Sequence, residues 1–279
     1  VLDMTAPLHA NLLADVLDQI DYRWKNMIDI KREDVEDCDI VLLFAAMADV
    51  PMGYPSPTWT ISNNAVGTTC VLEACKGMKR LEKVFIASSG NAVQYVTKYP
   101  IDETQLPNPR NVYGSSKGAQ ELIAWAYYRS FGVPIVIYRN GIIYGKNMRR
   151  EIFIFKWLSN MLHDKPCILE GGDQTRDPTF TSDTLTAWLL GIEAEPEKVV
   201  GELFQVSYGK EYSVREILDI CYEITGARKE ILYRPYRAGE EGMRELFSIE
   251  KAKRILGYNP KVDLRAGLTE TWEWVKSLG

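Results

Sequence analysis

Two residues in this chain have the types and the spacing that proton transfer needs. Tyr113 and Lys117 stand four apart in Asn111-Val112-Tyr113-Gly114-Ser115-Ser116-Lys117. On a helix that spacing puts both side chains on one face. A neighbouring ammonium favours phenolate and lowers a tyrosine pKa from its ordinary value of about 10. A tyrosine tuned in this way works as a general acid or base near neutral pH. The pair alone also fits a surface tyrosine above a solvated lysine, so its surroundings decide. Upstream, the apolar run Val84 to Ala87 ends in Ser88-Ser89-Gly90. A hydroxyl at the carboxyl end of a parallel strand lies where such sheets bind ligands. Ser88 or Ser89 can therefore hold a substrate oxygen beside the tyrosine, or the serines form a plain strand-end turn.

These groups need a scaffold. Val41 to Ala46 is a continuous apolar run, which predicts a strand buried on both faces. Val84 to Ala87 predicts a second strand. Ile135 to Tyr138, after Gly132 and Pro134, predicts a third. Helical patterns at 64–75 and 113–128 alternate with them. The alternation predicts an α/β fold with a doubly wound parallel sheet. The small residues Ala45, Ala46 and Ala48 let a backbone approach a flat ligand, or simply pack. Further along, helices are predicted at 152–162, 183–192, 213–225, 249–255 and 264–275. Ser213 and Glu216 have capping-box spacing, and Gly171-Gly172-Asp173 reads as a turn. A soft boundary falls near Gly145.

The ordered set now on the page resembles the extended short-chain dehydrogenase/reductase family, specifically its NAD-dependent nucleotide-sugar epimerases and dehydratases. It runs from Phe44-Ala45-Ala46 through Asn64-Ala65-Val66-Gly67-Thr68, Ser88-Ser89 and Tyr113-x-x-x-Lys117 to Arg139 through Tyr144-Gly145. It continues in Gly172-Asp173-Gln174-Thr175-Arg176-Asp177 and closes with Leu256-Gly257-Tyr258-Asn259-Pro260.

The resemblance implies a Rossmann-like NAD-binding part over 1–145 and a smaller substrate-binding part over 146–279, partly interleaved with it. It implies that Tyr113 transfers the proton, and that Lys117 tunes it and holds the nicotinamide ribose. Ser89 would bind the reacting sugar oxygen, with Ser88 as the alternative. Phe44, Ala45, Ala46 and Ala87 would line the cofactor, and Asn64 would steady the strand-end loop. Asp3 would take the adenosine ribose and favour NAD over NADP, with Asp29-Ile30 on the adenine side. Arg176 and Arg237 would grip the nucleotide diphosphate, because a guanidinium fork donates two parallel hydrogen bonds to phosphate. A homodimer through helices 64–77 and 113–130 is also implied. The bulky Trp125, Tyr127 and Tyr128 would serve that interface or the core.

The family pattern carries a first strand and a glycine-rich loop ahead of the acidic ribose ligand. No such fingerprint precedes Asp3, so the expectation is a sheet without that strand and loop. Ser89 is followed by Gly90-Asn91-Ala92 without a carboxylate. That favours epimerisation through a transient keto-sugar over dehydration, which needs an extra acid and base. Ile142, where the family often has a substrate-binding asparagine, keeps a non-sugar carbonyl reductase open. A non-catalytic binding protein that has lost the cofactor loop is the reading from another class.

Bulk properties exclude other classes. The 279 residues carry a formal charge of −5, against nucleic acid or an anionic membrane surface as partner. The longest apolar run, Ile40 to Ala48, falls far short of the roughly 20 residues of a spanning helix. The five cysteines, Cys38, Cys70, Cys75, Cys167 and Cys221, form no CxxC pair and predict reduced thiols in a cytoplasmic protein. His9 and His163 sit in no ligand spacing, so no metal is expected.

Overall fold

The computed structural model describes residues 1–6, 13–227 and 230–279, and His9 lies outside them. In chain order the strands are β1 (Leu2–Asp3), β2 (Arg23–Trp24), β3 (Ile40–Leu43), β4 (Lys83–Ser89), β5 (Ile135–Asn140), β6 (Ile142–Tyr144), β7 (Cys167–Glu170), β8 (Thr175–Arg176), β9 (Pro178–Phe180), β10 (Glu202–Val206), β11 (Tyr212–Ser213) and β12 (Ile231–Arg234). The helices are α1 (Val50–Gly53), α2 (Pro57–Ile61), α3 (Gly67–Cys75), α4 (Val112–Phe131), α5 (Phe153–Leu162), α6 (Thr181–Glu193), α7 (Pro196–Val199), α8 (Val214–Thr225), α9 (Glu250–Leu256) and α10 (Leu264–Ser277). Contacts group the chain into two compact units. One comprises Val1–Ser88, Asn111–Tyr138 and Glu195–Leu203, and the other Ser89–Arg110, Arg139–Ala194 and Phe204–Gly279.

A four-stranded sheet has the order β10-β5-β4-β3. β3 and β4 pair in parallel, Ile40 opposite Lys83 and Leu43 opposite Ile86. All six residues of β5 are buried, which is why its sequence is an unbroken apolar run followed by Arg139 and Asn140. The Phe85 and Tyr138 rings meet edge to face at 5.5 Å, the arrangement aromatic quadrupoles favour. The core of the first unit gathers Leu43, Leu72, Val84, Ile86, Ala124, Ile135 and Ile137.

The first strand is not buried on both faces as its apolar run over Val41 to Ala46 predicts. The strand stops at Leu43, Leu42 is 39% exposed, and Phe44 is 54% exposed. β3 is the edge of the described sheet, and Leu43 on it is buried while Leu42 is not. β1 and β2 form a separate parallel pair, Asp3 opposite Trp24.

α4 is the element that places the chemistry. Asn111 caps it by accepting a hydrogen bond from the Gly114 amide at 2.8 Å. Gly132 ends it at φ 68°, a left-handed conformation that glycine adopts without a Cβ penalty. Trp125, Tyr127 and Tyr128 pack against the core of the unit, and the Tyr127 hydroxyl donates to Glu73 Oε1 at 2.6 Å.

In the second unit, α5, α8 and α10 pack with β7 around Leu158, Leu169, Ile217, Leu218 and Leu268. The capping box at α8 is formed: Glu216 N donates to Ser213 Oγ at 3.0 Å and Ser213 N to Glu216 Oε2 at 2.6 Å. Close packing needs Gly267, where an added Cβ would meet the Tyr144 hydroxyl at 2.2 Å and the Phe180 ring at 2.8 Å. Both rings are buried. Gly267→Ala should therefore cost about 2 kcal/mol in urea unfolding, and an unchanged midpoint would contradict this packing.

All five cysteines are free thiols, and Cys75, Cys167 and Cys221 are buried. No helix among the described residues is long and apolar enough to cross a membrane. No cluster of potential metal ligands occurs among them either, and the exposed His163 bonds only the Ser159 carbonyl of its own helix.

Candidate active site

The first unit brings Tyr113, Lys117, Ala87, Ser88 and Asn64 together. Tyr113 and Lys117 lie on the first turns of α4, both buried, with the Lys117 ammonium 5.9 Å from the centre of the Tyr113 ring. Lys117 donates to the Ala87 carbonyl at 2.7 Å and to Gln120 Oε1 at 2.8 Å. An ammonium has three donors, so one N–H is left over among the described residues. Burial pulls the Lys117 pKa down to about 7, and the negative charge of Glu121 opposes that shift.

Asn64 is fully occupied. Its Oδ1 accepts from the Met47 amide at 2.7 Å, and its Nδ2 donates to the Met47 carbonyl at 3.0 Å and to Ser116 Oγ at 2.8 Å. It thereby clamps the loop after β3 to α4. Ser88 is buried and donates to Glu121 Oε1 at 2.5 Å.

These residues fit a nicotinamide dinucleotide. Phe44 and Ala45 are exposed at the carboxyl end of β3, where a parallel sheet receives its ligand, and Ala46 beside them is half-buried. The spare Lys117 N–H suits a ribose hydroxyl. Asp3 is exposed, with one carboxylate oxygen capping the Thr5 amide at 2.7 Å. Asp29 is exposed and Ile30 half-buried.

Ser89, Arg176 and Arg237 belong to the second unit. The Ser89 hydroxyl accepts from the Asn91 amide at 3.2 Å and from Asn91 Nδ2 at 3.3 Å. Its own O–H has no acceptor among the described residues, whereas that of Ser88 is spent on Glu121. Gly90 is pressed against Phe247: a Cβ there would come within 2.4 Å of the ring. Phe247 is itself packed with Val93 and Ile101. Gly90→Ser should cost about 2 kcal/mol of stability, read as a lower midpoint in thermal unfolding.

Both arginines expected on the diphosphate already hold carboxylates. Arg176 is buried and pairs with Glu240 at 3.2 Å and Glu245 at 3.9 Å. Glu245 also accepts from Gln94 Nε2 at 2.8 Å, and burial raises its pKa, with Arg176 pulling the other way. Arg237 is part-exposed and bonded to Glu170.

Sequence reasoning missed Glu121, Gln94, Glu245 and Phe247. Glu121 was within reach, since it lies one further turn along the face of Tyr113 and Lys117. The other three had no local signal: Gln94 and Glu245 meet across a separation of 151 residues.

A parallel sheet of Rossmann type carrying a buried Tyr-x-x-x-Lys pair defines an NAD-dependent enzyme of the extended short-chain dehydrogenase/reductase class. A family model described as GDP-mannose 4,6 dehydratase matches residues 29–271. The chain belongs to this family. It is 32% identical over 263 residues to a putative UDP-glucose 4-epimerase of Methanocaldococcus jannaschii, covering 89% of this chain and 83% of the relative. A dTDP-D-glucose 4,6-dehydratase of Homo sapiens is 27% identical over 250 residues, covering 87% and 70%. The crystal structure of UDP-glucuronic acid 4-epimerase from Bacillus cereus, in complex with UDP-glucuronic acid and NAD, is similar at a TM-score of 0.91 and 25% identity. That match covers 100% of this chain and 90% of the solved one.

Proposed function

We propose that this protein is an NAD-dependent epimerase of a nucleotide-linked sugar, acting at carbon 4 of a UDP-sugar through a transient keto-sugar. The observation that carries the reading is the buried Tyr113–Lys117 pair, whose ammonium keeps one N–H in hand. The carbon and the nucleotide follow the M. jannaschii and B. cereus relatives.

Bound NAD would supply the reversible uptake of hydride from the sugar carbon. This chain's residues handle the rest. Tyr113 takes the proton of the sugar hydroxyl as the carbonyl forms and gives it back as the alcohol is restored. Lys117 stabilises the phenolate and holds the nicotinamide ribose. Ser89 donates to the reacting oxygen, a role supported by its unspent O–H. Phe44, Ala45, Ala46 and Ala87 would line the cofactor and Asp3, Asp29 and Ile30 would hold its adenosine end, while Asn64 keeps the loop at Met47 in place. Arg176 and Arg237 exchange their carboxylates for the diphosphate. In this reading residues 1–145 serve mainly the cofactor and 146–279 mainly the substrate.

No carboxylate follows Ser89 to supply the acid and base of a dehydration. The protein, incubated with UDP-glucose and separately with UDP-glucuronic acid, should yield the C4 epimer by NMR of the sugar without net NADH. A 4-keto-6-deoxy product, or stoichiometric release of NADH, would replace this reading with dehydratase or reductase.

The Lys117 shift sets a pH dependence. The cation is lost as pH rises through about 7, so kcat/KM should fall on the alkaline side of that value. The folded protein binds fewer protons than the unfolded chain from about 7 up to the ordinary lysine value of 10.5. Stability should therefore rise with pH in that window. Urea unfolding across the range checks the sign, and Lys117→Met should remove the rise.

A homodimer is proposed through helices 64–77 and 113–130, where Val66 is 52% and Leu122 59% exposed. Sedimentation at micromolar protein tests it. The free thiols suit a reducing, cytoplasmic setting.

A further inference from the structure

A buried lysine without a counter-charge is costly, because desolvation disfavours its ionised form. Lys117 is 3% exposed, and both its hydrogen bonds go to neutral acceptors, the Ala87 carbonyl and the Gln120 amide oxygen. Yet it acts on Tyr113 only as an ammonium.

The groups that face it can be named element by element. On α4 they are Tyr113 and Glu121. On β4 it is the Ala87 carbonyl. From α3 comes the Thr68 hydroxyl, reached by Gln120 Nε2 at 2.5 Å. Glu121 is the acidic group in this set. It is 1% exposed and sits one helical turn beyond Lys117, about 6 Å away at Cβ. Its Oε1 takes the Ser88 O–H at 2.5 Å, which fixes the carboxylate to the end of β4 and keeps it from turning away.

We propose that Glu121 is a positioning residue for the reaction: anchored by Ser88, its carboxylate keeps the buried Lys117 protonated and so keeps Tyr113 competent. Ser88 thereby has a part of its own, as the anchor of that charge, distinct from the substrate contact assigned to Ser89. The direction of the Lys117 shift, with Glu121 opposing burial, agrees.

This rests on the catalytic reading of Tyr113 and Lys117, and the test separates the two. The full-length protein, labelled with 13C-lysine and assigned with Lys117→Met, is titrated by NMR. Glu121→Gln should lower the Lys117 midpoint by about one pH unit or more, and the alkaline limb of the epimerisation profile should move with it. Glu121→Asp, which keeps the charge but shortens its reach, should fall between. A Lys117 midpoint unmoved in Glu121→Gln overturns the proposal. Should that variant not fold, an unmoved midpoint in Glu121→Asp overturns it equally. Tyr113→Phe is the control: retained epimerisation there would sink the catalytic reading, while the NMR titration would still report on Glu121.

Discussion

Tyr113→Phe should lose about 10²–10⁴-fold in turnover while keeping its fold. The substitution removes one oxygen and leaves the ring where it is, buried on α4 at 8% exposure. The helix cap at Asn111 and the clamp from Asn64 to Ser116 are untouched. Stability should stay within about 1.5 kcal/mol of the parent, the net worth of one hydrogen bond. NAD should still co-purify, since Lys117 and the strand-end residues remain. The loss should fall on kcat, because a proton-transfer group acts in the transition state more than in binding. Turnover above a tenth of the parent, in a protein whose NAD content is confirmed by absorbance, would remove Tyr113 from the mechanism.

Asp177→Ala should destabilise the protein by about 3 kcal/mol, enough to unfold a large fraction of it in mild urea. Asp177 is fully buried and accepts from three backbone amides: Tyr208 at 3.2 Å, Gly209 at 3.0 Å and Phe247 at 3.2 Å. Its carbonyl also takes the Ser207 hydroxyl at 3.0 Å. Removing the carboxylate leaves the buried Phe247 amide and the part-buried Tyr208 and Gly209 amides without that acceptor, and each carries a desolvation cost. The Phe247 amide is one of them, so the ring that covers Gly90 should loosen too. A stability loss under 1 kcal/mol would mean that water satisfies the amides, and that Asp177 is not the tie it is argued to be.

The parts of this protein that were legible beforehand are those with local causes. Helix periodicity, the Ser213–Glu216 box and the apolar runs of β4 and β5 all depend on residues a few positions apart. The spacing of Tyr113 and Lys117 is of the same kind. The first strand was misjudged because an apolar run states what a strand can bury and not what covers it. Leu42 and Phe44 are exposed although they read as core. The arginines were legible as cations for phosphate. Their carboxylate partners were not, because Glu240 and Glu245 reach Arg176 from another part of the chain.

By itself, then, the sequence determined the class of the fold and the placing of Tyr113 and Lys117 on one helix face. Both follow from steric and helical periodicities that act within one or two turns. Only the tertiary structure decided which serine has a proton to give. A contact between residues 33 apart spends the Ser88 hydroxyl on Glu121, whereas that of Ser89 meets no acceptor among the described residues. It likewise decided that Lys117 would be a buried cation, because burial is a property of what packs around a side chain and not of the side chain's neighbours along the backbone.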